Sequence, residues 1–264
     1  DKRITVAVIA AGSGSGAMTI ALNILDAVLV AGKLIPKEDK PVQTPPVAQK
    51  LPAEDLSFGG YYTEGAGLCQ IVFDADKNTV AAYSINGHEK TPYMKLVYNN
   101  GYYHDAKGRR YYFAGTGREG YLVVHQSLVG FDTILMQRVK PAEKPLGLRI
   151  NMDDRLWLRR NVYPVESTMC AQSHFAKSFL HKELPGYVYF LGLKRVDTPE
   201  FAGMPFDSVR DQMELALFDR NGAAWAWLED MLYSPAESAV VLKAGDNTVN
   251  IKNAGYNEWL AAKE

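Results

Sequence analysis

The sequence predicts a mainly β protein, in which the terminal strand and helix of an α/β domain precede two antiparallel β-rich domains. From residue 56 onward, short stretches with an apolar period of two alternate with turn-forming residues. A second block of the same character follows residues 141–145. A strand, a glycine-rich loop and a helix follow one another only at the start, within residues 5–29.

The first element is a predicted strand over residues 5–10, and a helix is predicted over residues 17–29. Both have apolar faces that need a larger sheet to cover them. No such sheet follows, because the chain continues into a proline-rich segment. We therefore interpret residues 1–35 as the end of a domain whose body lies upstream, and residues 36–55 as a linker.

The next region, residues 56–140, is predicted to be an up-and-down antiparallel barrel of eight strands. The separators include Asn86-Gly87 and Asn100-Gly101, which favour tight hairpins. Closure into a barrel removes exposed strand edges. The predicted strands are residues 60–62, 68–73, 79–85, 94–98, 102–104, 110–114, 121–126 and 131–137.

Residues 146–264 form the second β-rich block, which is predicted to be barrel-like. Asp219-Arg220-Asn221-Gly222 is its strongest hairpin signal. Residues 196–211 look irregular, and we find no residue-level repeat of the first block. The predicted strands are residues 155–159, 186–191, 213–218, 223–228, 231–233, 239–242 and 248–251.

The glycine loop Gly12-Ser13-Gly14-Ser15-Gly16 also resembles a dinucleotide-binding turn. That hypothesis needs a second parallel strand ending in an acidic residue, and none follows. A phosphate loop is excluded because no Gly-Lys-Ser/Thr follows. A nucleophile elbow is excluded because neither serine has a glycine two residues away on both sides. We expect no cofactor.

Composition and charge exclude several classes of partner. The 264 residues have a formal net charge of −1 and no long basic run, so we expect no nucleic-acid partner. The apolar run over residues 20–31 contains Asn23 and Asp26 and is too short to span a bilayer. Cys69 and Cys170 are two buried thiols or, alternatively, one disulfide.

The histidines lack metal-ligand spacing, although His174 and His181 could share a helix face, so we expect no metal site. Tyrosines in the first barrel could bind a ligand, but packing is the simpler interpretation. Trp225 and Trp227 must point to one face of their strand. Inward tryptophans would belong to the core, and outward ones would mark an interface.

The strand over residues 5–10 and the helix after it resemble the last strand and C-terminal helix of the serine β-lactamase and penicillin-binding-protein-like hydrolases. Some members, such as the D-aminopeptidases, carry lipocalin-like barrels that open with a Gly-x-Tyr motif, which Gly60-Tyr61-Tyr62 matches. The resemblance implies a lipocalin-like first barrel and a periplasmic or secreted location. It also implies that Gly12, which stands where the β-lactamases have an asparagine, and Ser13 lie near the substrate.

The catalytic motifs of that family are absent from the chain. No lysine follows a serine by three residues, and Lys90-Thr91-Pro92 has proline where the Lys-Thr-Gly strand has glycine. Tyr98-Asn99-Asn100 has the spacing of the base motif but falls in a predicted hairpin. We therefore expect no catalytic residue here and a catalytic set located upstream.

Two hypotheses for the function follow. The chain is a noncatalytic C-terminal segment of such a serine hydrolase, packing on the catalytic domain and shaping access to it. Alternatively, it is a stand-alone lipocalin-like protein that binds a small hydrophobic ligand. A filled barrel favours the first hypothesis and an apolar cavity favours the second. The expected partners are the upstream catalytic domain or a second copy through residues 5–29.

Overall fold

The computed structural model describes residues 4–9, 16–35, 46–64, 67–116, 119–126, 131–162, 174–206, 214–249 and 256–262. The chain divides into two compact units, Asp1–Thr44 and Pro45–Glu264. The first unit carries the predicted helix, and the second carries both β-rich regions. Mainly β architecture is therefore confirmed.

Helix α1 spans Ala17–Ala31 in the first unit. It ends at Gly32, whose N–H bonds to the Val28 carbonyl. No residue of the helix is buried, and Ile20, Ile24 and Val28 are each more than 40% exposed. Residues 5–9 of the predicted first strand do not form a strand, because a strand exists only through pairing and no described strand pairs with them; residue 10 lies outside the described residues.

The first barrel is a closed sheet of eight antiparallel strands in sequence order. Each strand pairs with the next, and β8 returns to pair with β1. All eight predicted strands and the up-and-down topology are confirmed. The strands are β1 (Gly60–Thr63), β2 (Leu68–Asp74), β3 (Thr79–Asn86), β4 (Glu89–Asn99), β5 (Tyr102–His104), β6 (Arg110–Thr116), β7 (Glu119–Gln126) and β8 (Phe131–Val139).

The segment before β1 closes one end of the first barrel. Leu51 is buried in the barrel core, and a 3-10 helix spans Glu54–Phe58. The Tyr62 hydroxyl donates to the Phe58 carbonyl at 2.7 Å. Arg138 on β8 donates to the carbonyls of the two residues that flank Phe58, Ser57 at 2.9 Å and Gly59 at 2.7 Å. These bonds fix the end of the 3-10 helix against the barrel.

The second barrel repeats the same topology, with β9 pairing with both β10 and β16. The strands are β9 (Arg155–Arg159), β10 (Phe175–Leu180), β11 (Tyr187–Phe190), β12 (Leu193–Thr198), β13 (Phe201–Gly203), β14 (Leu215–Arg220), β15 (Ala223–Leu228) and β16 (Met231–Pro235).

Three strands of the second barrel, β10, β12 and β13, were not predicted from the sequence. In β10 the inward side chains are the small Ala176 and Ser178, and in β12 one is Lys194, so no apolar alternation marks these strands. Strand β13 has only three residues and lies in the stretch predicted to be irregular.

The last predicted strands do not belong to the barrel. Strand β17 (Val240–Leu242) pairs in parallel with β18 (Leu260–Ala262) in a separate two-stranded sheet. Residues 248–249, within the last predicted strand, form no strand, and residues 250–251 lie outside the described residues. Here Gly245 and Asn247 close a turn, in which the Asn247 side chain bonds to the Lys243 and Gly245 carbonyls.

The first strand of the second barrel also carries a tethered aromatic residue. Trp157 is fully buried, and its Nε1–H donates to Ser178 Oγ at 2.8 Å. That hydroxyl donates to the Met152 carbonyl in the segment before β9, at 2.6 Å. Trp157 therefore has the same role as Tyr62 in the first barrel.

The two barrels pack together through their outer faces. Leu68, Ile85 and Val139 of the first barrel form one buried apolar cluster with Leu184 and Leu193 of the second. Side chains on the outer face of a barrel are normally exposed to water. The burial of these leucine, isoleucine and valine side chains therefore shows an apolar interface between the barrels inside the second unit. The loop between β10 and β11 contributes Leu184 to it.

Candidate functional site

The residues that resemblance placed near the substrate, Gly12 and Ser13, lie outside the described residues. Cys170 lies outside them as well. Cys69 is a free buried thiol that faces the interior of the first barrel. Burial raises the pKa of Cys69 to about 12, so this thiol is protonated and unreactive at neutral pH.

The two segments that resemble hydrolase motifs, Lys90-Thr91-Pro92 and Tyr98-Asn99-Asn100, belong to strand β4 and to the hairpin that follows it. Lys90 lies on the surface of strand β4, where its ammonium bonds to Gln70 and lies 4.5 Å from the Tyr83 ring centroid. Pro92 sits where the register of β4 shifts against β3, the kind of position at which a strand tolerates proline. Asn99 and Asn100 lie at the β4–β5 hairpin, as predicted.

Among the hydrogen bonds of the described serines, none joins a serine hydroxyl to a side chain that could accept its proton as a general base. Ser57 donates to a backbone carbonyl, and Ser178 lies between the Trp157 indole and the Met152 carbonyl. Ser238 donates to Ser234 Oγ, and Ser234 accepts from Arg160, whose guanidinium only donates. Activation of a serine needs an adjacent general base. None of these hydroxyls is therefore an activated nucleophile.

The histidines are dispersed. His174 and His181 flank strand β10 and so do not share a helix face. Among the described residues, no group of three or more His, Cys, Asp and Glu side chains could hold a metal ion.

One histidine does meet a carboxylate, on the outer face of the first barrel. His125 Nδ1 lies 2.8 Å from Asp132 Oδ1, and the Tyr112 hydroxyl donates to Asp132 Oδ2 at 2.9 Å. The Tyr102 ring packs on the imidazole, with ring centroids 5.1 Å apart. Arg110 lies over the other ring of the cluster, 5.1 Å from the Tyr102 centroid, and no hydrogen bond among the described residues joins a serine or threonine hydroxyl to His125. The cluster orders strands β6–β8 and does not form a triad.

The first barrel is filled by its own side chains. Tyr62, Tyr103, Tyr111 and Leu122 are each at most 1% exposed and belong to one core cluster. A cavity beside Cys69 has a volume of only about 60 Å³. Ligand pockets usually measure a few hundred Å³ or more. The described interior of this barrel therefore leaves no room for a ligand.

A tyrosine-rich cleft of about 410 Å³ lies between residues 52–55 and strands β4–β6. Two of its three acidic side chains, Asp55 and Asp132, are already engaged. Asp55 accepts a bond from the Tyr103 hydroxyl at 2.7 Å, and Asp132 accepts from Tyr112. Burial raises the pKa of Asp55, and burial with this hydrogen bond raises that of Tyr103. The cleft's aromatic groups therefore serve packing and the closure of the barrel end.

The second barrel contains two buried cationic residues that sequence analysis missed, Arg159 and Lys194. Lys194 pairs with Val188 of the core and so faces inward. Burial lowers the pKa of Lys194 to about 8, and the nearby Glu229 opposes this shift. Lys194 and the buried Val196 are two residues apart, so they share one face of β12. If β12 had been predicted as a strand, this spacing would have indicated that Lys194 faces inward.

A second cavity, of about 430 Å³, lies at the end of the second barrel where β9 begins. Its walls are the segment before β9 and the loop after β10. His181 lines it at 2% exposure, and neither ring nitrogen has a hydrogen-bond partner. Burial lowers the pKa of His181 to about 4; nearby Glu183 opposes this shift and His88 adds to it. No sequence signal indicated that His181 would line a cavity.

The tryptophan pair points outward. Ala226 and Leu228 face the core, so Trp225 and Trp227 lie on the outer face. Trp225 packs against the Arg160 guanidinium, 5.5 Å from its ring centroid. Trp227 is 53% exposed. An exposed tryptophan on a sheet face is typical of an interaction surface.

Comparison with protein-family models, curated proteins and solved structures finds no match to this chain. In the part of the chain that the structure describes, no helix is long and apolar enough to cross a membrane.

Proposed function

We propose that this chain is a noncatalytic C-terminal segment of a β-lactamase-like serine hydrolase, in which the barrel unit packs on the catalytic domain and shapes access to its site. The proposal joins the sequence resemblance at residues 5–29 and Gly60-Tyr61-Tyr62 with the geometry of the barrels. The catalytic domain is the proposed partner.

The observation that carries the proposal is the filled interior of the first barrel. Tyr62, Tyr103 and Tyr111 occupy the space in which a lipocalin-like binding protein would hold its ligand. Two of these hydroxyls bond to groups of the barrel end, Phe58 and Asp55. A barrel packed in this way suits a rigid spacer or wall better than a container.

A surface for the partner is available on the second barrel. Trp227 lies directly between Ala216 of β14 and Leu232 of β16, and Phe218 pairs with Trp225 beside them. Aromatic residues in a row of apolar neighbours are enriched at interfaces. Helix α1 offers a second apolar face through Ile20, Ile24 and Val28. In the isolated chain this helix face could instead pair with a second copy.

Acylation tests the noncatalytic part of the proposal. The purified chain is treated with a serine-directed fluorophosphonate and with a fluorescent penicillin, and its intact mass is measured. We expect no covalent adduct, because the described serines lack a general base. A stoichiometric adduct on a serine contradicts the proposal.

The coding sequence before Asp1 tests the remainder. We expect the reading frame to continue upstream and to encode Ser-x-x-Lys and Tyr-x-Asn or Tyr-x-Ser motifs. An upstream frame without these motifs, or a start codon directly before Asp1, contradicts the assignment to a hydrolase even if no serine is acylated.

A further inference from the structure

We propose that the cavity beside His181 is a binding site for a small, mostly apolar molecule that carries one hydroxyl group. This inference goes beyond the proposed function and does not depend on it. The site lies in the second barrel, under the segment before β9.

The size of the cavity fits such a ligand. About 430 Å³ lies within the range of small-molecule pockets, roughly 300–1,000 Å³. The cavity beside Cys69 in the first barrel, at about 60 Å³, falls far below this range. The tyrosine-rich cleft of the first barrel is similar in volume, about 410 Å³, so the unpartnered His181 and not the volume alone distinguishes the cavity here.

The walls are mainly apolar. The segment before β9 gives Leu148, Ile150 and Met152, and the barrel gives Leu180, Tyr187 and Val196. Two of them, Leu148 and Ile150, also pack against the buried core, so this wall is held in place from behind. An apolar ligand body would gain roughly 25 cal/mol for each Å² of surface removed from water.

His181 supplies the reason for a polar group on the ligand. Both ring nitrogens are buried without a partner, which is costly for any polar group inside a protein. Burial keeps the imidazole neutral at pH 7, so one nitrogen donates and the other accepts. In the structure both nitrogens are closed to water, and a ligand hydroxyl, which both donates and accepts, would pair with one of them once the ring turns about its Cβ–Cγ bond towards the cavity.

A carboxylate is a poorer match than a hydroxyl. Asp153 also lines the cavity, and its Oδ1 accepts the Leu180 N–H at 3.1 Å, so its negative charge is held at the wall. Glu183 lies close enough to His181 for its negative charge to oppose the lowering of the pKa of His181. Lys182 is the cationic side chain among the lining residues, and it is exposed to water. A neutral polar group avoids repulsion by the two carboxylates.

The test uses 1-octanol as the probe and octanoate as its charged counterpart. Binding to the whole chain is followed by NMR with labelled histidine and methionine side chains. We expect 1-octanol to saturate one site and to shift the signals of both His181 and Met152. We expect octanoate to bind at least threefold more weakly.

Three variants sharpen the test. Leu146→Trp, at a cavity residue that is 47% exposed, should weaken 1-octanol binding at least tenfold by filling the space. The matched control is Leu156→Trp, which lies outside the lining at 45% exposure and should bind as the wild type does. His181→Phe should weaken binding about three- to tenfold, as expected for one neutral hydrogen bond. Its apolar ring should also leave the fold intact.

Each contrary result overturns the proposal. One is the absence of saturable 1-octanol binding, which would mean that water alone occupies the cavity. Equal 1-octanol affinity in Leu146→Trp and Leu156→Trp would place the binding elsewhere. An unchanged affinity in His181→Phe would show that the imidazole recognises nothing. Acylation of a serine would leave this site untouched, so the two proposals fail separately.

Discussion

The two barrels share one topology, but they differ in how their buried polar groups are paired. In the first barrel, Asp105 accepts bonds from the Lys107 and Arg109 amides, the Arg109 side chain and the Tyr111 hydroxyl. Burial alone would raise the pKa of Asp105, but these donors outweigh it and lower the pKa. In the second barrel, His181 is as well buried as Asp105 and has no partner for either nitrogen.

This difference indicates where a ligand could act. Polar groups that are already satisfied stabilise a closed structure and have nothing to offer a ligand. An unsatisfied group beside a cavity is costly in the empty protein and can be compensated by binding. Asp105 in the first barrel therefore has no free capacity for a ligand, whereas His181 in the second barrel does. Four predictions follow from this contrast, beginning with the largest effect.

Gly115→Ala should be the most damaging change, because a Cβ there would lie 2.2 Å from the Glu119 carbonyl oxygen at a φ of 108°. Strain and clash together should lower the free energy of unfolding of the first barrel by about 3 kcal/mol or more. Urea unfolding followed by tyrosine signals measures this.

The control is Gly222→Ala in the second barrel, which has a φ of 74° but open space around the new Cβ. It should cost about 1 kcal/mol. Equal losses in both variants would show that the tight β6–β7 contact is not present.

Acid should destabilise the second barrel through His181. The pKa of His181 falls from 6.5 in the unfolded chain to about 4 in the fold, a difference worth about 3 kcal/mol. The unfolded state binds the extra proton, so stability should fall as the pH drops from about 6.5 to 4 and then level off. Tryptophan fluorescence reports this barrel, because the first barrel contains no tryptophan.

His181→Phe should remove that part of the pH dependence while leaving the carboxylate contribution that both proteins share. If the variant follows the same pH curve as the wild type, His181 is not the group responsible.

The buried aromatic residues Trp157 and Tyr62, each hydrogen-bonded at one end of its barrel, should differ in how much they contribute to the free energy of unfolding. Trp157→Phe removes a buried indole and its bond to Ser178, and we expect a loss of about 2 kcal/mol. Tyr62→Phe removes one hydroxyl bond to the Phe58 carbonyl, and we expect about 1 kcal/mol. Chemical denaturation compares them. A larger loss for Tyr62→Phe than for Trp157→Phe would contradict the assignment.

The first barrel could be predicted from the sequence because its inward positions are apolar or aromatic and its turns carry Asn-Gly pairs. In the second barrel, Ala176, Ser178 and Lys194 occupy inward positions, so the hydrophobic period disappears although the strands form. Tertiary pairing with neighbouring strands determines such segments, and the sequence shows it only weakly.

The candidate site was harder to predict than the fold. His181 follows a strand that the sequence pattern does not predict, and the cavity beside it is formed with groups far away in sequence, such as Leu148 and Met152. The spacing of Trp225 and Trp227 places both on one face of the strand but does not say which face. The register of β14–β16 shows that Trp227 points outward. Gly12 and Ser13 were predicted from a resemblance and lie outside the described residues.

Benzene mapping tests the central contrast most directly, because benzene fits an apolar cavity of about 150 Å³. Methyl NMR of the whole chain in the presence of benzene locates where it binds. The account predicts shifts at Met152 and Val196 around the 430 Å³ cavity, with none at Leu122 or Val80 inside the first barrel. Shifts at Leu122 and Val80, with Met152 unchanged, would contradict it.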